Sequence, residues 1–142
     1  MTKVAFGADH AGFQLKNHLL QLSIDLGIEA IDLGVNGPES VDYPDQAAAV
    51  CRAINGGQTD MGLLVCGSGI GVSIAANREK GIRAALCHNS TEAQLARAHN
   101  DANVLCLGER LIGTSIAEDI FRVFFTTKFE SGRHQKRIDK LG

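Results

Sequence analysis

The segment Met61-Gly62-Leu63-Leu64-Val65-Cys66 constrains this chain more than any other. It is apolar throughout, so a strand formed from it must be covered on both faces, as in a parallel sheet flanked by helices. Residues 3–6, 29–33, 83–87 and 103–107 are further short apolar runs, most with β-branched residues. Between the runs, apolar residues recur at helical spacing. Leu15, Leu19, Leu22 and Leu26 form one stripe, with Lys16 and Asn17 off that face, and Gly27 ends it. Residues 43–53 make a second helix after the turn-rich residues 34–40, where Asn36-Gly37 is a strong turn pair. Residues 70–78 make a third. Thr91-Glu92-Ala93-Gln94 fits a capping box and opens a fourth. Ile116, Ile120, Val123 and Phe124 mark a fifth, after Gly113. This alternation predicts an α/β, doubly wound (Rossmann-like) three-layer sandwich with a five-stranded parallel sheet, right-handed crossovers and strand order 2-1-3-4-5. No linker or internal repeat interrupts the chain, so residues 1–142 read as one domain.

Several functions are disfavoured by composition. The net charge of -2 gives no support for nucleic-acid or membrane-surface binding. With no Trp and one Tyr, a base-stacking platform is not expected. No apolar run reaches membrane length, and Asp9 and His10 come too early for a secretory signal. Cys51, Cys66, Cys87 and Cys106 form no CxxC pair, which suits a reducing cytoplasm.

Ligands of open parallel sheets bind beyond the carboxyl ends of the strands, where the strand order reverses. In the predicted order that crevice lies between the first and third strands, faced by Gly7-Ala8-Asp9-His10 and Cys66-Gly67-Ser68-Gly69-Ile70-Gly71. Cys66 ends an apolar strand and is followed by glycines that open a helix. Such a loop lets backbone N–H groups approach an anion and favours a thiolate. A buried strand cysteine followed by a simple turn is the competing reading. The dinucleotide fingerprint and the P-loop both fail on spacing, because Val72 stands where the first needs its third glycine and no Lys follows.

Asp9 and His10 suit acid/base or hydroxyl contacts, or a helix cap and its first turn. His99 and Asn100 precede the fifth strand, where a histidine also complements a helix dipole. Arg110 follows that strand on the same sheet edge as Cys66. Arg133 and Arg137 are one helical turn apart, which suits a phosphate dianion or merely a solvated basic terminus. His18, His88 and His134 have no partner at metal-ligand spacing and read as surface or packing residues.

Together these residues resemble the type B ribose-5-phosphate isomerases, within the family that also contains the galactose-6-phosphate isomerase subunits. The resemblance runs from residues 4–12 through Asp42-Tyr43-Pro44, Cys66-Gly67-Ser68-Gly69-Ile70-Gly71, Ala75-Ala76-Asn77 and His99-Asn100-Asp101-Ala102-Asn103 to Gly132-Arg133-His134-Gln135. It implies an aldose–ketose isomerase of the pentose phosphate pathway, acting on D-ribose 5-phosphate and D-ribulose 5-phosphate without metal or cofactor. Cys66 matches the base that moves a proton between C1 and C2, and His99 the acid/base that helps open the ring. Asp9, His10, Gly67, Ser68, Gly69, Ile70, Gly71 and Asn100 match substrate-binding positions. Arg110, Arg133 and Arg137 match phosphate-binding positions. The resemblance also implies a homodimer or tetramer whose sites are completed by a neighbouring subunit. Many relatives carry Thr at Ser68, and either residue supplies a hydroxyl. Allose 6-phosphate, galactose 6-phosphate and a tetrulose 4-phosphate are alternative substrates, and a non-catalytic flavodoxin-like binding module is the alternative of a different class.

Overall fold

The computed structural model describes residues 2–142. Strands β1 (Lys3–Ala8), β2 (Glu29–Asp32), β3 (Met61–Cys66), β4 (Ala84–Leu86) and β5 (Val104–Gly108) form one parallel sheet. Helices α1 (Phe13–Asp25), α2 (Tyr43–Asn55), α3 (Ile70–Asn77), α4 (Ser90–Asn100), α5 (Thr114–Thr126) and α6 (Arg133–Asp139) connect or follow the strands. Alternation along β3 divides the interior. Leu63 and Val65 pack with Leu15, Leu19, Ile120, Phe121 and Phe124 on one face. Leu64 and Cys66 pack with Ala47, Val50, Val72 and Ala76 on the other. The central strands are therefore apolar on both faces, and the predicted fold class is borne out.

The strand order is β2-β1-β3-β5-β4, which corrects the predicted placement of the last two strands. Every residue of β5 is buried, whereas β4 has only three residues, all partly exposed. The strand that can cover two neighbours takes the interior, and the short one takes the edge. The switch point between β1 and β3 is unaffected, because β1 still has β2 on one side and β3 on the other.

Two local details also differ from expectation. The cap of α4 lies two residues upstream of the predicted one. Asn89 Oδ1 accepts the Glu92 N–H at 2.8 Å, while Glu92 Oε1 accepts the His88 N–H at 2.6 Å. Lys16, expected off the apolar stripe, is fully buried. Its Nζ donates to Asp32 Oδ1 at 2.6 Å and Asn36 Oδ1 at 2.7 Å, pinning the loop after β2 to α1. Its alkyl stem packs and its charge is paired, so the pattern of apolar residues alone could not reveal it. Lys16→Met keeps the stem and removes both bonds, leaving Asp32 Oδ1 with the Gly34 N–H at 3.0 Å. Denaturant unfolding should show a loss on the order of 1–3 kcal/mol, with no change if the pair is incidental.

Candidate active site

The ends of β1, β3 and β5 enclose a cavity of about 300 Å³, lined by Asp9, His10, Ala11, Tyr43, Cys66, Gly67, Ser68, Gly71, Arg110 and Leu111. The loops after β3 and β5 are joined by backbone bonds, from Glu109 N–H to Cys66 O and from Arg110 N–H to Gly67 O, both at 3.0 Å. A Cβ on Gly108 would lie 2.5 Å from the carbonyl carbon and oxygen of Ser68, so this approach requires glycine. The geometry brings Arg110 over Gly67, whose added Cβ would lie 3.1 Å from the guanidinium.

Cys66 is buried at the end of β3, and its Sγ accepts the Gly69 N–H at 3.1 Å. Gly69 makes that bond from a left-handed conformation, φ +77°. Ser68 Oγ accepts the Ile70 N–H at 3.2 Å, which leaves its hydroxyl proton free to donate. Among the described residues, neither the Gly67 nor the Ser68 N–H reaches a protein acceptor. Helix α3 starts here with Gly69 at its N-cap, and beyond the Ile70 N–H held by Ser68 its first turn can meet an anion. The N-terminus of α1 is already used, because Glu109 Oε1 accepts the Leu15 N–H at 2.6 Å.

Asp9 is buried, with Oδ1 accepting the Ala11 N–H at 2.9 Å. His10 Nδ1 accepts the Val41 N–H at 3.2 Å, so a neutral ring carries its proton on Nε2. The other three thiols lie in different surroundings. Burial raises Cys51 to about 11 and Cys87 to about 12, and it also holds Cys106 well above the ordinary thiol range.

The remaining predicted site residues lie elsewhere. His99 and Asn100 end α4, next to the start of β5, and Val104 of β5 pairs with Gly62 rather than with Cys66. That places them about 13 Å of strand away from the cavity edge. Asn100 lines a separate cavity with Ala96, Ala85 and Leu141. On α6, His134 and Ile138 are buried, while Arg133 and Arg137 share the exposed face. Within one chain the site residues thus fall into two groups: Asp9, His10, the 66–71 loop and Arg110 form one, and His99, Asn100, Arg133 and Arg137 the other.

His134 is not the isolated packing residue expected from sequence. Its ring stacks on His99 with centroids 4.3 Å apart and planes 13° apart. Its Nε2 lies 3.6 Å from Glu130 Oε1, and His99 Nε2 lies 3.7 Å from the same oxygen. Burial, then the adjacent His99, hold the His134 pKa below its ordinary value. Tyr43 is a further lining residue not singled out by chemistry in the sequence. A Cβ on Gly71 would lie 2.7 Å from its ring, so glycine there lets the ring close the cavity wall. Its signal was its position as the chain's one tyrosine, beside Pro44 at a helix start.

Comparison with known proteins agrees with this geometry. Residues 4–141 match the Ribose/Galactose Isomerase family. The chain is 45% identical over 141 residues to ribose-5-phosphate isomerase B of Escherichia coli, covering 99% of this chain and 95% of the relative. It is 38% identical to D-erythrulose-4-phosphate isomerase of Pectobacterium atrosepticum, covering 100% of this chain and 94% of the relative. The crystal structure of a ribose 5-phosphate isomerase from Thermotoga maritima superposes with a TM-score of 0.96 at 48% identity, covering 99% of this chain and 97% of the other. Among the described residues, no helix is long and apolar enough to cross a membrane.

Proposed function

Because the chain belongs to the Ribose/Galactose Isomerase family and is an aldose–ketose isomerase, we propose that it interconverts D-ribose 5-phosphate and D-ribulose 5-phosphate, with Cys66 as the base. The observation that carries this reading is the convergence of Cys66, Asp9, His10, Ser68 and Arg110 on one cavity at the switch point. Cys66 as thiolate takes the proton from C2 of the open-chain aldose, and the C–H electron pair moves toward C1 to leave an enediolate. The Gly67 and Ser68 N–H groups and the Ser68 hydroxyl suit the charge that develops on oxygen. Returning the proton to C1, while the O2 hydroxyl proton passes to O1, leaves a carbonyl at C2 and a hydroxymethyl group at C1, which completes the ketose. The step needs no external oxidant.

His99 is assigned to opening the furanose ring, and Arg133 and Arg137 to the phosphate. Both assignments call for a second copy, because His99 lies a strand length from its own Cys66 and α6, which carries both arginines, packs against that same end of α4 through His134. The rim of the cavity supports such an assembly. Tyr43 and Leu111 line the cavity and are 41% and 58% exposed, and Ile70 and Ile74, one turn apart on α3, are at least half exposed, apolar side chains that suit a partner surface. A homodimer with shared sites is therefore part of the proposal.

The direct test is turnover of D-ribose 5-phosphate against D-erythrulose 4-phosphate, comparing kcat/KM in the parent and in Arg137→Ala. The pentose phosphate should be preferred, and non-phosphorylated ribose should be a poor substrate. Arg137→Ala should weaken phosphate-dependent binding by on the order of 2–5 kcal/mol, seen chiefly in KM. Preference for the tetrulose phosphate would overturn the substrate assignment. Unchanged KM in Arg137→Ala would overturn the phosphate assignment.

A further inference from the structure

His99, Glu130 and His134 present three donor atoms that all lie within 4.8 Å of one another, away from the Cys66 cavity. The group is built by tertiary structure rather than by one motif. His99 lies in the last turn of α4 and His134 in the first turn of α6. Glu130 is held between them, its N–H bonded to Ala98 O at 3.0 Å. The turn into α6 uses Ser131 and Gly132 at positive φ, and His134 N–H then reaches Ser131 O at 3.2 Å. All three donors are therefore carried on backbone that is already fixed.

We propose that His99, Glu130 and His134 form a binding site for a borderline divalent metal ion such as Zn²⁺ or Co²⁺. A tetrahedral ion with metal–ligand distances of about 2.0–2.1 Å needs donors roughly 3.3–3.4 Å apart. The two nitrogen-to-carboxylate separations, 3.7 and 3.6 Å, are already close to that edge. Each imidazole binds an ion lying in its own ring plane, so the half-exposed His99 ring must swing out of its stack on His134 to share one ion with it. Two imidazoles and a carboxylate select such an ion over Mg²⁺ or Ca²⁺, and water would complete the shell. Arg133 and Arg137 on α6 oppose the cation electrostatically, which makes the site one for reversible rather than permanent loading. Occupation would engage His99 and so inhibit the isomerase. That consequence, unlike the binding itself, rests on the role proposed above for His99.

Co²⁺ titrated into the metal-free full chain tests the site by its visible spectrum, independently of turnover. A saturable spectrum of low-coordinate cobalt should form in the parent. Its affinity should fall at least about tenfold in Glu130→Gln and in His134→Gln, since even outer-shell losses reach that size. Zn²⁺ should inhibit the parent reversibly, with EDTA restoring activity, and the inhibitory concentration should rise at least tenfold in Glu130→Gln. No saturable cobalt spectrum would overturn the proposal. So would a spectrum unchanged in both variants but lost in Cys66→Ala, which would place the ion on the thiol. Saturable, Glu130-dependent cobalt binding without inhibition would uphold the metal site and overturn the role of His99.

Discussion

Cys66→Ala is expected to fold like the parent and to lose isomerase activity by a factor of about 10²–10⁴, the range a positioned general base contributes. The substitution removes one sulfur and the acceptor of the Gly69 N–H, leaving the surrounding apolar contacts largely in place. Chemical modification gives an independent measure. Burial raises the thiols of Cys51 to about 11 and Cys87 to about 12, and holds Cys106 well above the ordinary thiol range, so these remain protonated at neutral pH. A raised thiol pKa means less thiolate at any lower pH, so their alkylation should become appreciable only in strong alkali. Iodoacetamide near neutral pH should therefore label Cys66 first, abolish activity, and be slowed by substrate. Cys51→Ala should stay active. Turnover in heavy water should place some deuterium beside the carbonyl, although a shielded base can return the same proton. Full activity in Cys66→Ala would overturn the mechanism.

Mixing two inactive proteins should restore activity if each site is shared. In Cys66→Ala the chain still carries His99, and in His99→Ala it still carries Cys66. A mixed dimer then contains one site with both groups intact and one with neither. Equal amounts, fully exchanged into dimers, should regain roughly a quarter of parental activity, since half the dimers are mixed and each has one working site. The expectation rests on the separation within one chain, where His99 and Arg137 lie a strand length from the cavity that holds Cys66. Exchange should be verified by mass or fluorescence so that a negative result is informative. Sedimentation of the parent as a fully active monomer would overturn the shared site outright. Verified exchange without recovery would show that the two groups do not meet across subunits.

Much of the fold was legible because it depends on local burial. The segment from Met61 to Cys66 must be covered on both faces wherever it lies, and the helical stripes between the apolar runs supply that cover. The choice between β4 and β5 as the edge strand was not legible from periodicity. Both runs are apolar, and only their competition for the place beside β3 revealed that Val104–Gly108 is buried throughout. The cap of α4 shifted for a similar reason, since Asn89 and Glu92 satisfied the helix end before the predicted pair could.

The sequence alone determined that loops after β1 and β3 would face one crevice, because strand alternation puts the ends of parallel strands on one edge. It carried Asp9, His10, Cys66 and the glycines at spacings whose purpose follows from that edge. Tertiary structure decided what no spacing could encode. It brought Arg110 over Gly67 through the close approach of Gly108 to Ser68, and it buried Lys16 by pairing it with Asp32 and Asn36. It also separated His99, Arg133 and Arg137 from Cys66 and set His134 against His99. The physical reason is range. Burial and helix periodicity act between near neighbours in the chain, whereas these contacts join residues distant in sequence whose meeting depends on how the finished layers pack.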